Sequence, residues 1–394
     1  MKLSLNRAGV VLALLTVLSA CSSKDELVYP DISNKIKPDE IWSASVGDGV
    51  EHYDSALKPL ILGDKVFAAS RAGYVMAFER ETGKKLWTFD ARTDGSAGLL
   101  DSLNFWSDET ARLSGGVSAG YDKIYVGSEN GDVIALNPET GELVWRVKVG
   151  GEVIASPAAG DGFVVVNTSA GSVFALHPDT GEQRWKHEQE TALLSLRGTS
   201  EPVIASGGVI FGSGAGKVAV LIADKGVLAW EQAIAVPKGA TDLSRMNDVD
   251  ATPIIVDGMI YAIAYNGELT ALDLRTGRPV WKREYSTFRD MAIEGSTIYI
   301  VDSTGKIFAI DRRNGLEQWS QMGLNKHMLT GPAVYKDYLA IGDVEGNLFW
   351  LDKNSGEFVG QFSYGSGFYT QGVTNGDDLV IQTREGELSL IRLP

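Results

Sequence analysis

Residues 124–145 read IYVGSENGDVIALNPETGELVW, and this stretch decides the fold. It opens with a β-branched and aromatic run, which favours a strand. The pair Asn130-Gly131 supplies the two positive φ angles of a tight hairpin turn. An alternating strand, a Thr-Gly turn and another strand that carries Trp145 follow. The stretch therefore predicts three short antiparallel strands joined by two hairpins.

The same spacing recurs eight times along the chain. Counted from the glycine of the first turn, an apolar residue lies five positions on, a second glycine ten on and a tryptophan fourteen on. The first glycines are Gly73, Gly131, Gly171, Gly216, Gly267, Gly305, Gly346 and Gly386. The tryptophans are Trp87, Trp145, Trp185, Trp230, Trp281 and Trp319. In the seventh copy Gly360 stands in the tryptophan's place, and the eighth ends before that position.

A further apolar stretch, often after a proline, precedes each unit and supplies a fourth strand. Four short strands repeated at about 40 residues are the signature of a β-propeller. The last unit stops at Pro394 after its third strand, whereas residues 41–46 read as a fourth strand that carries Trp42. We therefore expect an all-β, eight-bladed β-propeller over residues 41–394, in which the N-terminal strand completes the eighth blade and leaves no open edge. Trp42 and the six register tryptophans are then packing residues between blades.

Composition and charge exclude several classes of protein. The 394 residues carry a net charge of −15, which argues against binding nucleic acid because phosphate needs clustered Lys and Arg. The single cysteine excludes an internal disulfide framework and a Cys-rich metal site. The four histidines show no metal-ligand spacing, and we expect no metal.

The N-terminus reads as a targeting segment. Residues 1–20 contain two basic residues and then an apolar run over 8–18, which is too short to span a bilayer of about 30 Å. The run ends Leu-Ser-Ala before Cys21, which resembles the lipobox of bacterial lipoproteins; the alternative is an ordinary signal peptide cleaved nearby. By resemblance to lipoprotein sorting, Ser22 favours the outer membrane. Residues 21–40 are then the lipidated Cys21 and a polar tether.

Two connections between units carry unusual side chains. Leu194 and Leu196 stand beside Arg197 before the first strand of the fourth unit. Asp248 and Asp250 hold the matching place before the fifth unit. Adjacent blades put both connections on one face, and leucine and arginine beside charge suit a protein-binding patch. The residues alone equally allow the leucines to fill the central channel and the aspartates to cap turns.

The repeat resembles that of the quinoprotein alcohol dehydrogenase propellers. Within that superfamily, the lipobox, the length and the eight units resemble the propeller lipoproteins of the bacterial outer-membrane β-barrel assembly machinery, over residues 18–394. This resemblance implies a scaffold at the periplasmic face of the outer membrane that is not an enzyme and that assists barrel insertion. It also implies a partner, the periplasmic POTRA domains of BamA. The residues that correspond to the family's BamA-binding positions are Leu194, Leu196, Arg197, Asp248 and Asp250.

Two alternatives compete with this interpretation. A quinone-dependent dehydrogenase shares the fold, but Cys21 is alone, which rules out the vicinal disulfide those enzymes carry, and their calcium-site pattern is not found. We accordingly expect no catalytic residues and no cofactor. The other alternative is a periplasmic module that pairs its blade edges with unfolded outer-membrane protein chains.

Overall fold

The computed structural model describes residues 27–53, 55–93, 110–190, 196, 198–237, 240–241 and 245–394. The predicted signal peptide over residues 1–20 and the predicted lipidation site Cys21 lie outside the described residues. Strands are the regular elements throughout the described ranges, and they lie within the compact unit Asp31–Pro394. No helix of the described residues is long and apolar enough to cross a membrane.

The first four blades follow one another along the chain. The chain begins with β1 (Asp39–Ser45) and β2 (Ala56–Leu57). Blade one is β3 (Leu60–Leu62), β4 (Lys65–Ala69), β5 (Tyr74–Glu79) and β6 (Lys85–Asp90). Blade two is β7 (Leu113–Gly120), β8 (Lys123–Ser128), β9 (Asp132–Leu136) and β10 (Leu143–Lys148). Blade three is β11 (Ala158–Gly160), β12 (Phe163–Asn167), β13 (Ser172–Leu176) and β14 (Gln183–Glu188). Blade four is β15 (Val203–Ala205), β16 (Gly208–Gly212), β17 (Lys217–Ile222) and β18 (Val227–Ala233).

The remaining blades repeat the same order. Blade five is β19 (Ile254–Val256), β20 (Met259–Ile263), β21 (Leu269–Asp273) and β22 (Pro279–Arg283). Blade six is β23 (Ala292–Glu294), β24 (Thr297–Val301), β25 (Ile307–Asp311) and β26 (Glu317–Gln321). Blade seven is β27 (Ala333–Tyr335), β28 (Tyr338–Gly342), β29 (Asn347–Asp352) and β30 (Phe358–Ser363). Blade eight contains β31 (Val373–Asn375), β32 (Asp378–Gln382) and β33 (Glu387–Arg392).

The predicted closure of the ring is confirmed. Strand β1 pairs antiparallel with β33, and Trp42 lies opposite Leu390, so that the N-terminal strand is the fourth strand of blade eight. The first strands of neighbouring blades contact each other, which makes them the innermost strands around the axis. Strand β2 adds a fifth strand to blade two, where it pairs in parallel with β7. The sequence pattern did not predict this addition.

The register tryptophans explain the second glycine of each repeat. Gly141 has a φ of +76°, and a Cβ atom placed on it would lie 2.5 Å from the ring of Trp87 in the preceding blade. The Trp87 Nε1–H donates to the carbonyl of Pro138, 3.1 Å away in that same turn. The same arrangement joins other blades through the donor–acceptor pairs Trp42–Arg80, Trp145–Pro178, Trp185–Ala223, Trp230–Leu274, Trp281–Arg312 and Trp319–Lys353. The glycine is therefore needed for its left-handed backbone and for the indole that lies on it.

The hydrophobic core lies between the blades. All five residues of β9, β13 and β16 are buried, whereas the fourth strand β14 contains only exposed and half-buried positions. Tyr125 of blade two, for example, packs with Val164 and Phe174 of blade three. Burial is thus greatest in the middle strands, and the two ends of the ring are formed by turns and connections.

Candidate partner-binding site

The two connections singled out in the sequence meet at one end of the ring. The backbone N–H of Leu196 donates to Oδ2 of Asp248 at 2.8 Å, although 52 positions separate the two residues. Leu196 precedes blade four and Asp248 precedes blade five, and Leu196 is half-buried at the mouth of the central cavity. Leu194 and Arg197 lie outside the described residues. The structure therefore brings together one member of the first connection and one of the second.

The carboxylate of Asp248 is buried, and the protein gives a hydrogen bond to only one of its two oxygens. Its exposed fraction is 1%, and among the described residues its Oδ1 atom has no hydrogen-bond partner. Burial raises the pKa of the Asp248 carboxyl above its ordinary value, and the hydrogen bond from Leu196 opposes that rise only in part. A buried acceptor in this state costs stability, which fits a position kept for something other than folding.

Asp250 is held beside the same connection by a glycine. A Cβ atom on Gly198 would lie 2.2 Å from Oδ2 of Asp250, so that any other side chain at that position would have to displace the Asp250 carboxylate. Asp250 also lines the central cavity together with Leu196 and Gly198. The glycine after the Leu-Ser-Leu-Arg run is therefore part of the site's construction.

The floor of the site is a cavity of about 260 Å³ around the axis. Lys58 of blade one reaches the carboxylate of Glu201 before blade four at 2.8 Å, and that of Asp290 before blade six at 3.9 Å. Ser156, before blade three, donates to Glu201 at 2.6 Å. Burial lowers the pKa of Lys58, but Glu201 and Asp290 outweigh it and hold the pKa above its ordinary value. These contacts span the ring and position the ends of four blades.

Sequence reasoning missed this network, although the repeat contains a signal for it. Lys58, Ser156 and Glu201 each stand directly before the proline that opens a first strand. Lys58, Glu201, Thr252 and Gly331 all stand directly before such a proline and all line the axial cavity, so that charged residues at this one repeat position meet in the centre. The type of residue differs from blade to blade, which is why the repeat pattern does not display it.

Metal chemistry has no support at the described positions. No group of three or more His, Cys, Asp or Glu side chains that could hold a metal ion occurs in the part of the chain that the structure describes. The cavity carboxylates instead face Lys58.

The fold defines a class, the eight-bladed β-propellers. A family model described as "Outer membrane protein assembly factor BamB" matches residues 17–104 and 71–321. Relatives of the same description are 42% identical in Yersinia pestis (96% of this chain, 95% of the relative) and 43% identical in Vibrio cholerae (100% of both). The chain belongs to the BamB family of outer membrane protein assembly factors.

Solved structures agree on the fold. BamB from Moraxella catarrhalis has a TM-score of 0.79 at 22% identity, covering 90% of this chain and 100% of that one. Quinohemoprotein alcohol dehydrogenase from Comamonas testosteroni has a TM-score of 0.69 at 13% identity, covering 90% and 76%. At these identities the likeness concerns the propeller alone.

The buried charge of Asp248 yields a first testable prediction. Asp248→Asn keeps an oxygen for the Leu196 N–H and removes the charge, and we expect it to raise the free energy of unfolding at pH 7 by roughly 1 kcal/mol. An acid whose pKa is raised in the folded state costs stability while it is charged. The gain should therefore shrink as the pH falls through the raised pKa and vanish below 3.8, the ordinary value. Urea denaturation of both proteins at several pH values from about 3.5 to about 7 measures the difference in their free energies of unfolding. A variant less stable than the parent at pH 7 would contradict the prediction.

Proposed function

We propose that this chain is a non-enzymatic scaffold lipoprotein of the outer-membrane β-barrel assembly complex. It is anchored through Cys21 at the periplasmic face of the outer membrane. It binds the periplasmic POTRA domains of BamA through Leu194, Leu196, Arg197, Asp248 and Asp250 and assists the insertion of barrel proteins. The observation that carries the proposal is the Leu196–Asp248 hydrogen bond, which joins the two connections at the rim of the cavity.

Three features support a protein partner rather than a substrate. The rim combines the half-buried Leu196 with the buried Asp248 and the half-buried Asp250, so that apolar surface and charge lie side by side, as they do where the core of an interface meets its polar rim. Asp248 is a buried carboxylate whose Oδ1 atom has no hydrogen-bond partner among the described residues, and a role in binding would account for this cost to stability. The curated relatives are described as assembly factors, which agrees with a role in a complex.

The proposal is tested by recovering the mature protein from detergent-solubilised outer membranes. BamA is expected to accompany it in stoichiometric amount, and acyl chains are expected on Cys21 by mass spectrometry. A preparation that contains the acylated protein without BamA would contradict the partner. A stoichiometric quinone or calcium ion in the same preparation would instead support the dehydrogenase.

A second function, direct binding of unfolded barrel chains, is favoured by the outer strands. Leu86, Val144, Leu228 and Val280 lie on the fourth strands of four blades and are between 40% and 60% exposed. An extended chain added to such an edge gains main-chain hydrogen bonds and apolar contact together. If this function holds, photo-crosslinkers placed at Val144 and Val280 should form crosslinks to an unfolded outer-membrane protein. If it does not hold, no such crosslink should form.

A further inference from the structure

Lys58 stands before blade one in the chain, but its backbone is held by blade two. Strand β2, the addition that the repeat does not predict, pairs in parallel with β7 and ends one residue before Lys58. The N–H of Lys58 donates to the carbonyl of Gly116 at 2.8 Å, and the N–H of Val117 donates to the carbonyl of Lys58 at 3.1 Å. The Lys58 side chain therefore starts from a backbone that is fixed on both sides before it enters the axial cavity.

The nearer carboxylate that Lys58 meets lies at the end of the first connection of the site, residues 194–201. Glu201 is this last residue, and its carboxylate is 2.8 Å from Nζ of Lys58. The preceding residue, Ser200, is 1% exposed and donates its hydroxyl to the carbonyl of Ala251 at 3.4 Å. The end of the first connection is thus bound both to Lys58 and to the second connection, residues 248–252.

The farther carboxylate holds the end of that second connection. Oδ1 of Asp290 accepts the backbone N–H of Thr252 at 2.7 Å, two residues after Asp250. Oδ2 of the same Asp290 side chain lies 3.9 Å from Nζ of Lys58. A single ammonium group therefore lies between the carboxylates that end the first connection and support the second.

We infer that Lys58 is a positioning residue, which organises the two connections for the protein partner by neutralising Glu201 and Asp290 together. The inference rests on the proposed function, because the surface that it organises is the one assigned to the POTRA domains of BamA. The side chains of Glu201 and Asp290 are only 19% and 28% exposed, so that water screens their mutual repulsion weakly. Without the ammonium between them, the two carboxylates would repel each other and separate the connections that they hold.

Amide hydrogen exchange on the mature protein tests the positioning without a partner. Lys58→Met keeps an unbranched side chain and removes the charge. We expect the amides of Leu196 and Thr252, whose hydrogen bonds hold the two connections, to exchange at least roughly tenfold faster in this variant than in the parent, because the connections open locally. Unchanged exchange at both amides would overturn the inference.

A matched control removes a comparable ion pair at the other end of the ring. Lys123 follows the turn between the first two strands of blade two, and its Nζ lies 2.8 Å from Asp179 of blade three. Lys123→Met should leave exchange at Leu196 and Thr252 as it is in the parent. Equal acceleration in the two variants would mean that exchange reports the stability of the whole ring, and this result would also overturn the inference.

Calorimetric titration with the POTRA domains of BamA tests the consequence for binding. If Lys58→Met leaves the organised arrangement in about a tenth of the molecules, the apparent Kd rises about tenfold. The double variant Lys58→Met/Glu201→Gln removes the repulsion, and the new amide keeps an oxygen for the hydroxyl of Ser156. It should therefore recover most of the lost affinity, whereas a lost direct contact between Lys58 and the partner would not be restored.

The outcomes separate this inference from the proposed function. A parent protein that binds the POTRA domains, together with a double variant that binds no better than Lys58→Met, overturns the positioning role and leaves the proposed function intact. Weaker binding of Lys58→Met with unchanged exchange would indicate a direct contact instead and would overturn the positioning role too. A parent protein that does not bind the POTRA domains overturns the proposed function, and the exchange measurement then decides by itself whether Lys58 organises the connections.

Discussion

Asp378→Ala is expected to lower the free energy of unfolding by about 3–5 kcal/mol, because it leaves two guanidinium groups without their shared carboxylate. Asp378 lies in β32 with its side chain 2% exposed. Nε of Arg80 in blade one and Nε of Arg392 in blade eight each donate to one of its oxygens. Arg392 also reaches Glu81 of blade one at 3.0 Å. The carboxylate therefore ties together the two blades between which the ring closes.

The loss should depend on pH in a defined direction. Burial would raise the pKa of Asp378, but hydrogen bonds and charge from Arg392 and Arg80 outweigh burial and hold the pKa below its ordinary value of 3.8. An acid with a lowered pKa contributes its stability in full above the unfolded value and loses it as the pH falls through the folded value. The difference in free energy of unfolding between the parent and Asp378→Ala should therefore be constant above about pH 5 and should decrease below pH 3.8.

A matched control is available at another interface between blades. Asp257 pairs with Arg312 across blades five and six at 2.6 Å, but its side chain is 72% exposed. Asp257→Ala should cost at most about 1 kcal/mol, since solvent screens such a pair. Urea denaturation followed by tryptophan fluorescence measures both variants. Equal losses of unfolding free energy at the two positions would show that the burial of Asp378 does not strengthen its contribution to ring closure.

The propeller was predictable from the sequence because its determinants are local and repeated. A turn glycine stands in each of the eight units, and an indole lies fourteen residues after it in six of them. The closure by Trp42 followed from where the last unit stops, and the pairing of β1 with β33 confirms it. The repeat did not disclose that the second glycine also makes room for the tryptophan of the preceding blade, because that contact links two different units.

The site was harder to predict because it depends on departures from the repeat. Gly360 reads in the sequence only as a missing tryptophan, and its meaning appears when Trp350 is seen opposite it on the neighbouring strand. The axial contacts of Lys58 join blades that are far apart in the chain. Leu196 and Asp248 were found from composition and resemblance, and their direct hydrogen bond was not foreseen. Their role in binding BamA stays a prediction.

Arg197→Ala is expected to weaken binding to the POTRA domains of BamA by about 1–3 kcal/mol, or roughly 5- to 150-fold in Kd. A guanidinium can give a partner carboxylate or carbonyl two parallel hydrogen bonds, which an ammonium cannot reproduce. Arg197→Lys should accordingly recover only part of the affinity. The control Arg184→Ala removes the same charge from a side chain that is 43% exposed on the outer strand β14, and it should bind as the parent does.

Combining Arg197→Ala with Asp248→Ala, which removes the acceptor of the Leu196 N–H, tests whether the two connections act as one surface. Since the Leu196 N–H joins the connections through Asp248, the two substitutions alter adjacent parts of one structure. Residues that share a partner or a backbone contact give non-additive effects, whereas independent positions add to within about 0.5 kcal/mol. We therefore expect the double variant to lose less affinity than the two single losses predict together. Calorimetric titration of the parent, the two single variants and the double variant at one salt concentration measures the binding free energies. Strictly additive losses would mean that Arg197 and Asp248 contact the partner separately or not at all.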